Sequence, residues 1–131
     1  MHRLLSNWAE GNGTEDSRGT GSGATWACAI DGNIANQSKN CFGTTEWTMG
    51  QPNNISVHPW IETPTDTQII TNGLTGVVEY DVTADVAAFV NGTANNFGWL
   101  IRKTLEGQSG SISFGTKEST YTAELAVTYQ P

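Results

Sequence analysis

Residues 123–129 carry Ala123, Leu125, Val127 and Tyr129 at every second position, with Glu124, Ala126 and Thr128 between them. A period of two sends alternate side chains to opposite faces of an extended chain. The same signal recurs through the sequence. Residues 97–104 put Phe97, Trp99 and Ile101 on one face, and residues 4–8, 24–27, 46–48, 67–70, 76–82 and 111–115 read as shorter strands. Turn-forming clusters separate them: Gly19-Thr20-Gly21-Ser22-Gly23, Gln51-Pro52-Asn53-Asn54, Thr71-Asn72-Gly73 and Glu106-Gly107-Gln108-Ser109-Gly110. Many short strands between Gly- and Asn-rich turns imply an all-β, antiparallel sandwich or barrel.

One segment departs from this period. Residues 83–91 read as a short helix, with Thr83 as N-cap, Asp85 in the first turn and Asn91-Gly92 as the stop. Val86, Phe89 and Val90 fall at i, i+3 and i+4 and form one apolar stripe. The 131 residues make a single domain, large enough to bury about two-thirds of its unfolded surface. No internal repeat is visible. The Gly/Thr/Ser-rich stretch at residues 11–23 reads as a loop within the domain, because strand-like sequence flanks it.

Charge narrows the partners. Lys and Arg number six against thirteen Asp and Glu, a net charge of −7. Nucleic acid and anionic lipid need clustered cations, and the only adjacent pair is Arg102-Lys103. No apolar run approaches the ~18 residues of a membrane span. The two cysteines, Cys28 and Cys41, flank a polar segment carrying the turn signal Asp31-Gly32-Asn33. A disulfide here closes a short loop worth about 3 kcal/mol in the chain-entropy model and implies an oxidising, extracytoplasmic compartment. Two free thiols are the alternative. Two Cys and two distant His do not make a zinc site. No leader is visible in the short apolar start at residues 1–5. The Asn-x-Ser/Thr sequons at Asn12, Asn36, Asn54 and Asn91 are expected by chance in a chain so rich in Asn and Thr.

Six blocks, in order, carry a family likeness: His2-Arg3-Leu4-Leu5-Ser6-Asn7-Trp8-Ala9-Glu10-Gly11, Gly23-Ala24-Thr25-Trp26, Tyr80-Asp81-Val82-Thr83, Asn95-Asn96-Phe97-Gly98-Trp99-Leu100-Ile101, Phe114-Gly115-Thr116-Lys117-Glu118-Ser119 and Leu125-Ala126-Val127-Thr128-Tyr129. Over essentially the whole chain, the sequence resembles the DNRLRE-type domains of secreted bacterial and archaeal proteins. The resemblance implies a β-sandwich of jelly-roll type over residues 1–131 and a mostly non-catalytic role. It also implies kinship with carbohydrate-binding modules of alginate-degrading enzymes. Family members carry further strand sequence before the first block, so the resemblance implies that the chain starts inside the domain. Three arrangements then follow: a fragment, closure by the remaining strands, or a strand supplied by a neighbouring subunit.

Candidate chemistry is sparse. His2 and His58 are the only histidines, and nothing resembles a nucleophile elbow. Glu10, Glu46, Glu62, Asp81 and Glu118 are available for paired-carboxylate work, with surface charge as their simpler role. Indoles are more informative, since an exposed ring stacks on the apolar face of a sugar. Trp8, Trp26 and Trp99 lie in strand-like blocks and read as core. Trp47 and Trp60 flank the Pro/Asn-rich loop and read as exposed, with His58, Asn53 and Asn54 nearby as hydrogen-bonding groups. Arg102, Lys103 and Lys117 are the cations available to a uronate polymer, although the charge of −7 suits a neutral glycan better. Residues 31–36 begin like a calcium loop, but Ala35 cannot ligate and Asn36 replaces the expected Gly, so the segment reads as a turn. No cofactor is required; a structural calcium ion stays open as an alternative.

The sequence therefore points to an extracellular or cell-surface, non-enzymatic module that binds polysaccharide or another surface glycan. Trp47, His58, Trp60, Arg102 and Lys103 are its candidate ligand-binding residues. The alternative is a structural subunit whose copies complement one another's strands.

Overall fold

Residues 1–4 are the thread around which the rest is wound. The computed structural model describes residues 1–14, 16–25, 27–43, 46, 60–105, 107 and 109–129. Strand β1 (His2–Arg3) pairs antiparallel with β2 (Trp99–Leu100), His2 opposite Leu100 and Arg3 opposite Trp99. The pairing continues through the Leu4 N–H, which donates to the Gly98 carbonyl at 3.0 Å. On the other edge, the Ile61 N–H donates to the Arg3 carbonyl and the Thr65 N–H to the Met1 carbonyl, each at 2.9 Å. An isolated bridge joins Leu4 to Trp60. With both edges paired, this segment brings Leu4, Ala29 and Trp60 together as a buried cluster, with Phe97 and Leu100 packed against it. Gly98 makes the turn into β2 at φ 83°, a left-handed conformation that costs glycine little.

A second set of contacts surrounds the disulfide. Cys28 and Cys41 are bonded, with Cα atoms 5.2 Å apart. Asp31 exchanges two backbone hydrogen bonds with Gly23, at 2.8 and 3.0 Å, and bridges to Cys41. The arm at residues 9–11 lies against this loop, through Ala9 N–H to the Ala29 carbonyl and Ala24 N–H to the Ala9 carbonyl. Gly23 permits the approach, since a Cβ there would stand 2.5 Å from the Gly11 Cα.

Helix α1 (Thr83–Val90) forms where the sequence places it. Asn91 is its C-cap and Gly92, at φ 67°, ends it. The N-terminus differs in detail. Val82 is the N-cap, and the Asp81 carboxylate accepts the Thr83 N–H at 2.9 Å. The stripe is also narrower than its periodicity implies: Phe89 packs on Trp99 with ring centroids 5.6 Å apart, while Val90 is exposed.

The all-β sandwich of jelly-roll type is not what the chain forms. The described residues contain two strands of two residues each, one helix and isolated bridges. Of the expected strands, residues 97–104 pair only at Trp99–Leu100, and residues 4–8 only at Leu4. Residues 67–70, 76–82, 111–115 and 123–129 are in no ladder, with Ile69, Val77, Ile112, Phe114, Leu125, Val127 and Tyr129 exposed. Trp26, Trp47 and Thr48 lie outside the described residues.

The physical reason is that alternation sets which side chains share a face but supplies no partner strand, and a ladder needs a donor and an acceptor on neighbouring strands. Between the expected strands, short polar side chains take backbone donors locally and shape the turns. Asp31 takes the Asn33 N–H, Asn33 that of Ala35, Asn36 that of Ser38, Asp81 that of Thr83 and Asn96 that of Gly98.

Asp85 holds the remaining pieces together. It is buried, and its Oδ1 accepts from Arg3 Nη1 at 3.0 Å. Its Oδ2 accepts from Thr65 Oγ1 at 2.7 Å and from Trp99 Nε1 at 2.8 Å. Removing one partner of a buried ion pair leaves the other charge uncompensated. Asp85→Ala is therefore expected to lower stability by about 3 kcal/mol, and Asp85→Asn by less. Urea unfolding followed by tryptophan fluorescence reads both, and an unchanged midpoint for Asp85→Ala contradicts the assignment.

Candidate functional site

Of the sequence-derived ligand residues, the structure brings Trp60 and Arg102 together and engages both within the molecule. Trp60, expected to be exposed, is only 4% exposed and belongs to the core with Leu4 and Ala29. Its bridge to Leu4 fixes it there, because Leu4 is itself held by Gly98. The Arg102 guanidinium lies over the Trp60 ring, 5.7 Å from its centroid, a cation–π contact. Lys103 Nζ donates to the Ser109 carbonyl at 3.3 Å. Trp47 and His58, with Asn53 and Asn54, lie outside the described residues.

Among the described indoles, Trp8 reaches solvent, at 44% exposure, where the sequence placed core. Its Nε1–H donates to the Phe97 carbonyl at 3.0 Å. Asn7, Asn95 and Asn96 flank these two chain segments in sequence and are exposed. Two residues after Trp8, Glu10 is paired with Lys117 at 2.6 Å, which ties residue 117 to the same arm. Trp99, by contrast, is half-buried and spends its N–H on Asp85.

All six cations have partners. Arg3 is on Asp85, Arg18 Nη1 donates to the Asn36 carbonyl, and Lys39 pairs with Glu46. Lys117 pairs with Glu10 and Glu118, Arg102 stacks on Trp60 and Lys103 reaches Ser109. Arg102, Lys103 and Lys117 therefore make separate contacts. The hydrogen bond to Glu10 raises the Lys117 ammonium pKa above its ordinary value.

The buried carboxylates are equally committed. Asp85 serves Arg3, Thr65 and Trp99. Asp31 Oδ1 accepts the Asn33 N–H at 2.9 Å and Oδ2 accepts the Thr25 hydroxyl at 3.2 Å. The turn expected at residues 31–33 is thus made by Asp31 itself. Among the described residues, no group of three or more His, Cys, Asp and Glu gathers to hold a metal ion. No helix among them is long and apolar enough to cross a membrane.

Sequence reasoning missed two positions. Asp85 read as a first-turn dipole partner, and its i, i+3 spacing gives no sign of Arg3 or Thr65. Trp8 read as core because it sits in a strand-like block. The polar neighbours Asn7 and Glu10 were the available hint that the block ends at Leu4. No protein-family model, curated protein or solved structure matches the chain.

Two acids, Asp66 and the exposed Asp81, fasten the helix entrance. The Asp66 carboxylate accepts the Asp81 N–H at 2.9 Å, the Gln68 amide at 2.8 Å and the Thr67 N–H at 2.7 Å. These bonds, the Asp81 N–H first, hold the Asp66 carboxyl below its ordinary pKa. The Thr83 N–H and side chain do the same for Asp81. Each depressed carboxylate contributes stability that is present above its unfolded pKa, about 4, and is lost as pH falls through the lower folded value. Thermal melting followed by helix circular dichroism is thus expected to lose midpoint as pH is lowered from about 4 to 2. In Asp66→Asn that dependence is shallower. An equal slope in the variant contradicts the role given to Asp66.

Proposed function

We propose that this protein is an extracellular, non-catalytic binding module that attaches to a neutral polysaccharide. One observation carries the reading: every Lys and Arg is engaged within the molecule, while an indole stays exposed. A polyanionic glycan recruits free cations, and here the cations are occupied on a chain of net charge −7. Sugar hydroxyls and apolar sugar faces need amides and aromatic rings instead, and Trp8 with Asn7, Asn95 and Asn96 supplies both. The intramolecular disulfide supports an oxidising compartment. The commitment of Asp31 and Asp85 to hydrogen bonds supports a binding role over bond-making. The resemblance to DNRLRE-type secreted domains agrees with this role, although the described residues do not form the sandwich of that family.

Native electrophoresis through gels containing hydroxyethylcellulose, xylan, galactomannan or laminarin tests the reading. Retardation in at least one, unaffected by 0.5 M salt, is the expected result. Unaltered migration in all four overturns it.

A second reading, assembly of identical copies, is favoured by the C-terminal segment. Residues 122–129 lie outside any ladder or turn, with Leu125, Val127 and Tyr129 exposed and Glu124 as their single charge. An antiparallel pair of copies centred on Ala126 sets Leu125 opposite Val127 and Glu124 opposite Thr128, so the apolar faces coincide and no like charges meet. Light scattering is expected to show a concentration-dependent dimer under this reading, abolished by Val127→Lys. A monomer across the micromolar range removes it.

A further inference from the structure

We propose that the exposed face of Trp8 is the sugar-stacking platform of this module. The inference rests on the neutral-polysaccharide reading and goes further by placing the contact on one residue. A useful platform needs an exposed ring in a fixed orientation, with its polar edge already satisfied. Trp8 meets each requirement: the ring is 44% exposed, and its only polar atom, Nε1, donates to the Phe97 carbonyl at 3.0 Å. That bond fixes the ring and leaves the π-surface as the part offered to a ligand, so little side-chain freedom is lost on binding.

The surroundings suit a neutral, polyhydroxylated ligand. Beside the ring edge is Gly98, where an added Cβ would stand 4.0 Å from Nε1, so residue 98 brings no side chain against it. Asn7 adjoins Trp8 in sequence, and Asn95 and Asn96 precede the anchoring Phe97; all three are exposed. Amides offer both donors and acceptors to hydroxyl groups without bringing charge. The nearest charge along the arm, Glu10, is paired with Lys117, which also meets Glu118. Trp60 and Trp99 cannot serve in the same way, since the first is buried and the second is half-buried under Phe89 with its N–H on Asp85.

Affinity electrophoresis with the four polysaccharides named above, combined with fluorine NMR of 5-fluorotryptophan-labelled protein, tests the assignment. The Trp8 resonance is identified by its loss in Trp8→Phe. The expected result is retardation of the wild type, at least tenfold weaker retention of Trp8→Ala, intermediate retention of Trp8→Phe, and a ligand-induced shift of the Trp8 resonance. The NMR arm uses the unmutated fold, so misfolding of Trp8→Ala does not decide the question. Retardation of the wild type with an unmoved Trp8 resonance, or with full retention by Trp8→Ala, overturns the platform and leaves the polysaccharide reading standing. No retardation and no shift overturns both.

Discussion

One carboxylate joins segments that no regular ladder connects. Asp85 receives Arg3 from the N-terminal strand, Thr65 from the segment beside it, and Trp99 from the partner strand. Two strands of two residues are marginal alone, because a short ladder offers few bonds against the entropy of ordering both chains. Charge-assisted bonds in a buried setting are stronger than neutral ones at the surface, and here they converge from three directions. Helix α1 is thereby pinned to β1 and β2, and Phe89 comes to rest on Trp99. The core of Leu4, Ala29 and Trp60 lies along the same N-terminal thread.

The rest of the molecule shows how polar composition redirects strand propensity. Thr, Val, Ile and aromatic residues at alternate positions favour extended chain. Asn, Asp, Ser and Thr beside them offer each N–H a partner two residues away. Such bonds form at Asp31, Asn33, Asn36, Asp81 and Asn96, where they shape the turns between extended segments. The disulfide loop follows the same logic: Cys28 and Cys41 bring together turns that Asp31 has already bent, and Gly23 lets the 9–11 arm close over them. The C-terminal segment is left with an alternating pattern and no ladder, which is why its apolar side chains face solvent.

Function depends on which side chains are already occupied. The six cations and the two buried carboxylates among the described residues hold the chain together, so the surface is left with carboxylates such as Glu62, Glu79 and Glu124 beside amides, hydroxyls and aromatic rings. Under the proposed reading, the amides and one aromatic face would meet a hydroxyl-rich, uncharged partner. The distinction between Trp8 and Trp60 is central. Both are indoles in apolar-looking blocks, yet one is buried beneath Arg102 and the other stays 44% exposed with its N–H on the Phe97 carbonyl.

Local features were legible in the sequence because their causes are local. The helix at residues 83–91, its Asn91-Gly92 stop, the Asp31 turn and the Cys28–Cys41 pairing each depend on neighbours within about a dozen residues. The jelly-roll sandwich and the exposure of the indoles were not legible in this way. Alternation states which residues share a face, but not whether a partner strand arrives to cover it. Whether Trp8 or Trp60 was exposed, and whether Asp85 met Arg3 across 82 positions, was decided by tertiary structure. Burial and long-range pairing are properties of chain segments meeting in space, and one-dimensional spacing carries no record of which segments meet.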